Sequence, residues 1–214
     1  MSNTKKILTA IAFVIAIATI AISIRECRPS DNTMPYYDYN GCLDFLHENY
    51  DFADFMPRKP EYIVIHCTAV PPKVSFTPEK LLAFFYNSNK WDRPGYRHFI
   101  SRDGTIHTLR AFNGDEYIDY NEMTWGASGY NNISIHISYD GGLDQNMKAT
   151  DTRTLEQRAS LSALVSFYKG LHPTAKVIGH RNLSKKACPS FDAKAEYSSI
   201  KAHSDEALDS LFIQ

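Results

Sequence analysis

The sequence predicts a single α/β domain, a central mixed β-sheet flanked by helices, preceded by an N-terminal transmembrane helix. Three observations carry this expectation. Apolar, β-branched runs at 61–68, 133–139 and 175–180 read as strands. Segments of helical period at 77–90 and 152–171 fall between them, and interleaved strands and helices are the pattern of an α/β sheet. At the front, residues 7–24 (ILTAIAFVIAIATIAISI) form an uncharged run of about 18 residues, near the length a bilayer-spanning helix needs.

The front run shows no polar face, so it does not read as a surface helix. Lys5 and Lys6 precede it; Arg25, Glu26 and Arg28 follow. The favoured reading is an uncleaved anchor over 1–28, with the N-terminus cytoplasmic and the rest of the chain extracytoplasmic, on the periplasmic or cell-wall side. The alternative is a signal segment cut after Ala16-x-Ala18, with the domain secreted. Cys27 follows charged residues, which fits a lipoprotein cleavage site badly. Residues 29–59 read as a linker with a short helix over 40–51, where Leu43, Leu46 and His47 share a face. Cys27 and Cys42 either pair in an oxidising compartment or stay two separate thiols.

Residues 60–214 then form the one folded domain, since the chain without its front retains about 160–170 residues, room for a single core. The hydrophobic share of 43% and charged share of 22% exclude a disordered chain. A net charge of −1 carries no basic excess, so nucleic acid is not an expected partner. A monomer is the default.

Within the domain, Glu61–Thr68 reads as a buried strand. Thr77-Pro78-Glu79 opens a helix, with Thr77 as N-cap and Pro78 in the first turn, and Leu81, Leu82, Phe84 and Phe85 form its apolar stripe. Tyr96–Leu109 reads as a hairpin turning at Asp103-Gly104. Residues 110–131 lack a period and read as a long surface loop, and such loops in compact domains are often functional. Ile133–Tyr139 alternates as a strand. A cap-like run, Asp151–Thr154, starts the second helix, and Ala175–His180 is the last strand. The sheet should hold about five or six strands, with the helices on its faces.

Three places can carry chemistry. His66-Cys67-Thr68 ends the first strand, Pro94-Gly95-Tyr96 starts the hairpin, and His180 to Pro189 follows the last strand. If the first and last strands are neighbours, His66 and His180 share one edge of the sheet, and Cys188 lies within reach. Two histidines and a thiolate make a catalytic zinc set that leaves one position open. Each residue alone is a weak signal.

Together, the stretches IVIHCTA (63–69), GYRHFISRDGTI (95–106), GASGYNNISIHISYDGG (126–142) and GHRNLSKKACPSFD (179–192) resemble the zinc-dependent N-acetylmuramoyl-L-alanine amidases of the type shared by bacteriophage T7 lysozyme and the peptidoglycan recognition proteins. The resemblance implies one zinc ion held by His66, His180 and Cys188. It implies Tyr96 and Lys186 as catalytic residues, and peptidoglycan as the substrate. The reaction it implies is hydrolysis of the amide between N-acetylmuramic acid and L-alanine of the stem peptide. Cys67 adjoins His66, but its side chain points to the other face of a strand, which favours packing. Trp125 and Tyr130 either line a substrate groove or pack over the core.

The chain departs from the family pattern in three places. Gly126 stands where phage relatives often have histidine. Ser138 stands where another branch has a catalytic glutamate, which favours a tyrosine/lysine mechanism. Arg97 separates Gly95-Tyr96 from His98, which reads as structural. His136, between Ile135 and Ile137, reads as a core or sheet-face histidine. A non-catalytic peptidoglycan receptor of the same fold is the alternative, but receptors that lost hydrolysis characteristically lack the cysteine, and Cys188 is present. A zinc hydrolase of another amide is a third reading.

Overall fold

The computed structural model describes residues 57–200, which belong to one unit, Phe52–Gln214. The run 7–24, the helix expected over 40–51 and the Cys27–Cys42 pair lie outside the described residues, as does the chain end beyond 200. Among the described residues no helix is long and apolar enough to cross a membrane.

Five strands form a mixed sheet in the order β3-β2-β4-β1-β5. They are β1 (Tyr62–Cys67), β2 (His98–Ile100), β3 (Ile106–Thr108), β4 (Ser134–Tyr139) and β5 (Lys176–Gly179). Only the β2–β3 hairpin is antiparallel; β2–β4, β4–β1 and β1–β5 are parallel. A parallel strand covered on both faces is buried along its length. That is why β1 reads YIVIHC with five of six residues buried, and β4 is buried throughout.

Side-chain alternation divides these strands between two layers. On one face, Ile63, Ile65, Ile100, Ile135, Ile137 and Tyr139 pack against Leu161, Leu164, Val165 and Tyr168 of α2 (Leu155–Leu171). The other face carries a smaller cluster. There Phe99 meets Leu81 of α1 (Pro78–Ala83) and Phe85 of the wide turn Phe84–Ser88 that continues it, with Trp91 and Tyr96 alongside. His66 and His136 have the parity of this second face.

The caps are those the sequence signals. The Thr77 side chain accepts from the Lys80 N–H, and Thr154 and Gln157 form a reciprocal capping box. Gln157, fully buried, also donates from Nε2 to the carbonyls of Ile100 and Asp140 at 3.2 and 3.0 Å. Those carbonyls stand just where β2 and β4 end, so α2 is docked on the strand ends by hydrogen bonds as well as by apolar area. Asp140, also fully buried, accepts from Thr68 Oγ1 (2.9 Å), Ser75 Oγ (2.6 Å) and the Phe76 N–H (3.3 Å). It thereby ties the connection after β1 to the end of β4. A four-residue helix α3 (Ala193–Glu196) follows the last loop.

His98 belongs to the α2 side, as expected for a structural residue. Its Nε2 lies 2.6 Å from the Tyr168 hydroxyl and its Nδ1 3.2 Å from Thr108 Oγ1. Burial, reinforced by the neighbouring Arg97 charge, pulls its pKa down to about 3. An unfolded histidine takes a proton near pH 6.5, so below that pH the unfolded chain binds the proton the folded chain refuses. Stability should therefore fall as the pH drops from about 6.5 toward 3, at up to about 1.4 kcal/mol per pH unit from this residue. Urea unfolding at pH 7, 6 and 5 measures the slope, and His98→Gln should make it shallower by about one proton.

Candidate metal centre

Parallel pairing of β1 with β5 sets Ile65 opposite Gly179. One step further along both strands stand His66 and His180, at the carboxyl end of the sheet. This is the edge where open α/β sheets bind their ligands. The two rings lie 4.7 Å apart, and both residues are at least nine-tenths buried. His180 leaves the strand as the first residue of a short 3-10 turn, His180–Asn182.

The loop after that turn folds back and delivers Cys188. The Tyr139 hydroxyl donates to the Pro189 carbonyl at 2.6 Å, and the Arg181 N–H donates to the Cys188 carbonyl at 2.6 Å. The Cys67 N–H, at the end of β1, donates to Cys188 Sγ at 3.3 Å. Gly179 makes the close approach possible, because a Cβ there would stand 2.5 Å from Pro189 Cδ. The result places Cys188 Sγ 3.8 Å from His66 Nδ1. One donor atom each from His66, His180 and Cys188 lies within 4.8 Å of the others.

This arrangement fits zinc. The donors are two imidazole nitrogens and a thiol, the types that bind it at about 2.0 and 2.3 Å, so two ligands of one tetrahedral ion stand about 3.5 Å apart. Three protein ligands leave the open position of a catalytic site. Both histidines are held neutral, as ligands must be: burial lowers the His66 pKa, with His136, His180 and Lys186 adding to it, and burial with Lys186 lowers that of His180. The two sulfurs compete for one negative charge, and contact with Cys67 together with burial raises the Cys188 thiol. A cation at the three donors favours the thiolate at Cys188 instead. Cys67 itself turns to the α2 face and packs in that core, 3.8 Å from Ser190 Oγ.

The other expected residues surround this point. Tyr96 stacks at a tilt on His66, with ring centroids 4.9 Å apart. Burial raises its pKa and nearby Cys188 and Cys67 reinforce the shift, so the phenol keeps its proton. Lys186, Trp125 and His180 line one groove with Trp91, Gly126 and Ser184, a cavity of about 500 Å³. Among the described residues its lining includes no carboxylate. Tyr130 lies elsewhere: it meets Tyr62 edge-on at 6.0 Å and lines a separate depression beside β5 with Lys176 and Tyr197.

Two contributors are not evident from sequence motifs. Trp91 stacks on Phe85 (5.5 Å, 6° between planes) and meets Trp125 edge-on at 5.9 Å, building the wall of the groove. His136 is fully buried, and its Nδ1 lies 3.0 Å from His66 Nε2. The signal for His136 was its parity: SIHISY sets Ser134, His136 and Ser138 on one face, the polar side of an otherwise apolar strand.

The profile of the N-acetylmuramoyl-L-alanine amidase family matches residues 56–191, well over half of the chain. The chain belongs to that family. This amidase domain is similar to the endolysin of Enterobacteria phage T3, 31% identical over 145 residues that cover 66% of this chain and 89% of that protein. Similarity to the endolysin of Escherichia phage T7 is 31% over 134 residues, 62% of this chain and 82% of that one. Peptidoglycan-recognition protein LB of Drosophila melanogaster is 28% identical over 144 residues, 64% of this chain and 58% of that protein. Among solved structures, the amidase LysC from Clostridium intestinale shares the fold with a TM-score of 0.53 at 22% identity, over 68% of this chain and 87% of that one.

Titration of the full chain with Zn²⁺ should saturate at about one ion per chain. Cys188→Ala should abolish stoichiometric binding and Cys67→Ala should retain it, as read by metal analysis after gel filtration.

Proposed function

We propose that this amidase domain is a zinc-dependent peptidoglycan hydrolase that cleaves the amide between the lactyl group of N-acetylmuramic acid and L-alanine of the stem peptide. The observation that carries the reading is the convergence of His66, His180 and Cys188 within 4.8 Å, next to Tyr96 and at a groove bearing Lys186. His66, His180 and Cys188 would hold the ion. When bound, zinc supplies Lewis acidity and makes water a stronger acid near neutral pH.

The remaining steps fall to the chain's own side chains. The Trp91–Trp125 wall gives sugar or peptide an apolar surface to lie on, and such contacts orient the scissile amide. As water adds to the carbonyl carbon, negative charge gathers on its oxygen. The Lys186 ammonium stabilises that charge at the groove. The Tyr96 phenol, kept protonated by burial, donates a hydrogen bond to the same developing charge or to the attacking water. The protons of the added water pass to the amide nitrogen as the C–N bond breaks, giving the lactyl carboxylate and the ammonium of L-alanine. Among the described residues the groove lining offers no carboxylate for the proton transfers, which supports a tyrosine/lysine mechanism.

Residues 7–24 would hold the domain at the membrane on the side where peptidoglycan lies, and their uncharged length supports that placement. An intact N-terminus on membrane-bound protein, resistant to an alkaline wash, is the expected result. A mature protein starting beyond residue 18 would mean a cleaved signal and a secreted domain.

Incubation of the zinc-loaded chain with purified peptidoglycan should release stem peptides that begin with L-alanine, identified by mass spectrometry. Lys186→Ala should lower kcat by about 10²–10³-fold with zinc retained. Tyr96→Phe should lower it by about 10²-fold or more. Stoichiometric zinc with bound peptidoglycan but no released peptide would replace this reading with the receptor, and release of a different product would replace it with another amide hydrolase.

A further inference from the structure

His136 occupies a position where an imidazole has no packing advantage. It is fully buried in β4, between Ile135 and Ile137 on the chain and beside Val64 of β1 in register. Its Nε2 is buried without a hydrogen-bond partner among the described residues. A buried polar atom left unpaired destabilises a fold, so an apolar side chain would serve packing better here. Among the described residues, the only hydrogen bond of the ring is the 3.0 Å contact of Nδ1 with His66 Nε2.

That contact assigns both rings. A neutral imidazole has one donor and one acceptor nitrogen. His66 Nδ1 faces Cys188 Sγ at 3.8 Å, and to serve as a ligand it must carry the lone pair. The His66 proton then sits on Nε2 and is donated to His136 Nδ1. His136, in turn, keeps its own proton on the unpartnered Nε2. The loop before β4 closes on this ring and on the backbone before Tyr96: a Cβ on Gly126 would stand 2.4 Å from His136 Cγ, 2.5 Å from its Nδ1 and 2.8 Å from the Gly95 carbonyl oxygen.

We infer that His136 is a positioning residue for the metal centre, accepting the His66 Nε2–H and so fixing His66 Nδ1 toward Cys188 and His180, and that Gly126 is the matching absence of a side chain that lets the ring sit there. Outer hydrogen bonds of this kind select the tautomer and orientation of a ligating histidine. The inference rests on the reading of His66, His180 and Cys188 as zinc ligands. It also accounts for Gly126 without any role in substrate contact.

The test measures Zn²⁺ affinity of the full chain by competition with a chromophoric chelator, with near-ultraviolet dichroism and metal-free melting as the check on folding. His136→Leu removes the acceptor at similar volume and should weaken Zn²⁺ binding by about 10–100-fold. His136→Asn, whose Oδ1 takes the place of Nδ1, should restore most of it. Gly126→Ala should weaken binding in the wild-type background and by a clearly smaller factor in the His136→Ala background, where the ring it displaces is gone and only the contact with the Gly95 carbonyl remains. This second pair carries the test if His136→Leu does not fold. A folded His136→Leu that binds Zn²⁺ as tightly as wild type overturns the inference, as does an Asn variant as weak as Leu. A purely packing role would lower metal-free melting and leave the affinity unchanged. Wild-type chain that binds no Zn²⁺ overturns the metal centre itself, which is a separate result from a wild type that binds and variants that bind equally.

Discussion

The site depends on one structural constraint, the parallel pairing of β1 with β5. In a parallel pair the register advances evenly along both strands, so residues at the same step leave the sheet at the same edge. Ile65 opposite Gly179 therefore commits His66 and His180 to a common point. An antiparallel pairing of the same two segments would send them to opposite ends. The third donor is attached to the same strand, because the Cys67 N–H, the backbone group next to His66, donates to Cys188 Sγ.

Alternation on β1 and β4 then sorts chemistry from stability. Odd-numbered positions on both strands build the apolar layer against α2, and the even-numbered His66 and His136 meet at the candidate metal centre. The large apolar layer keeps the strands rigid, while the site face carries histidines, Ser138 and the Tyr96 ring. Such a face costs stability wherever a polar atom is left unpaired, as His136 Nε2 is among the described residues. Conflict between local stability and polar placement is expected at functional sites.

The electrostatics of the centre follow from the same burial. Desolvation holds His66 and His180 neutral and keeps the Tyr96 phenol protonated. The centre therefore offers lone pairs and one O–H donor. Positive charge comes from Lys186 at the groove, where its ammonium stays near water. The division suits amide hydrolysis, in which negative charge appears in the transition state at the groove side and neutral donors are needed beneath it.

Much of this architecture was legible in the residues. Apolar runs marked the strands, Thr77-Pro78 and the run Asp151–Thr154 marked helix starts, and Asp103-Gly104 marked the hairpin, because these signals are local and the backbone answers them locally. The four motif stretches pointed to the family and to its expected ligands before any distance was known. Contacts among distant segments could not be read the same way. The sequence does not say that Trp91 joins Trp125 in one wall, that Tyr130 turns to a different depression, or that Gly126 makes room for an imidazole ten residues later. His136 shows the limit most clearly. Its parity on β4 was set by the sequence alone, whereas its hydrogen bond to His66, seventy residues away in the chain, was decided by the register between β1 and β4, a property of the assembled sheet.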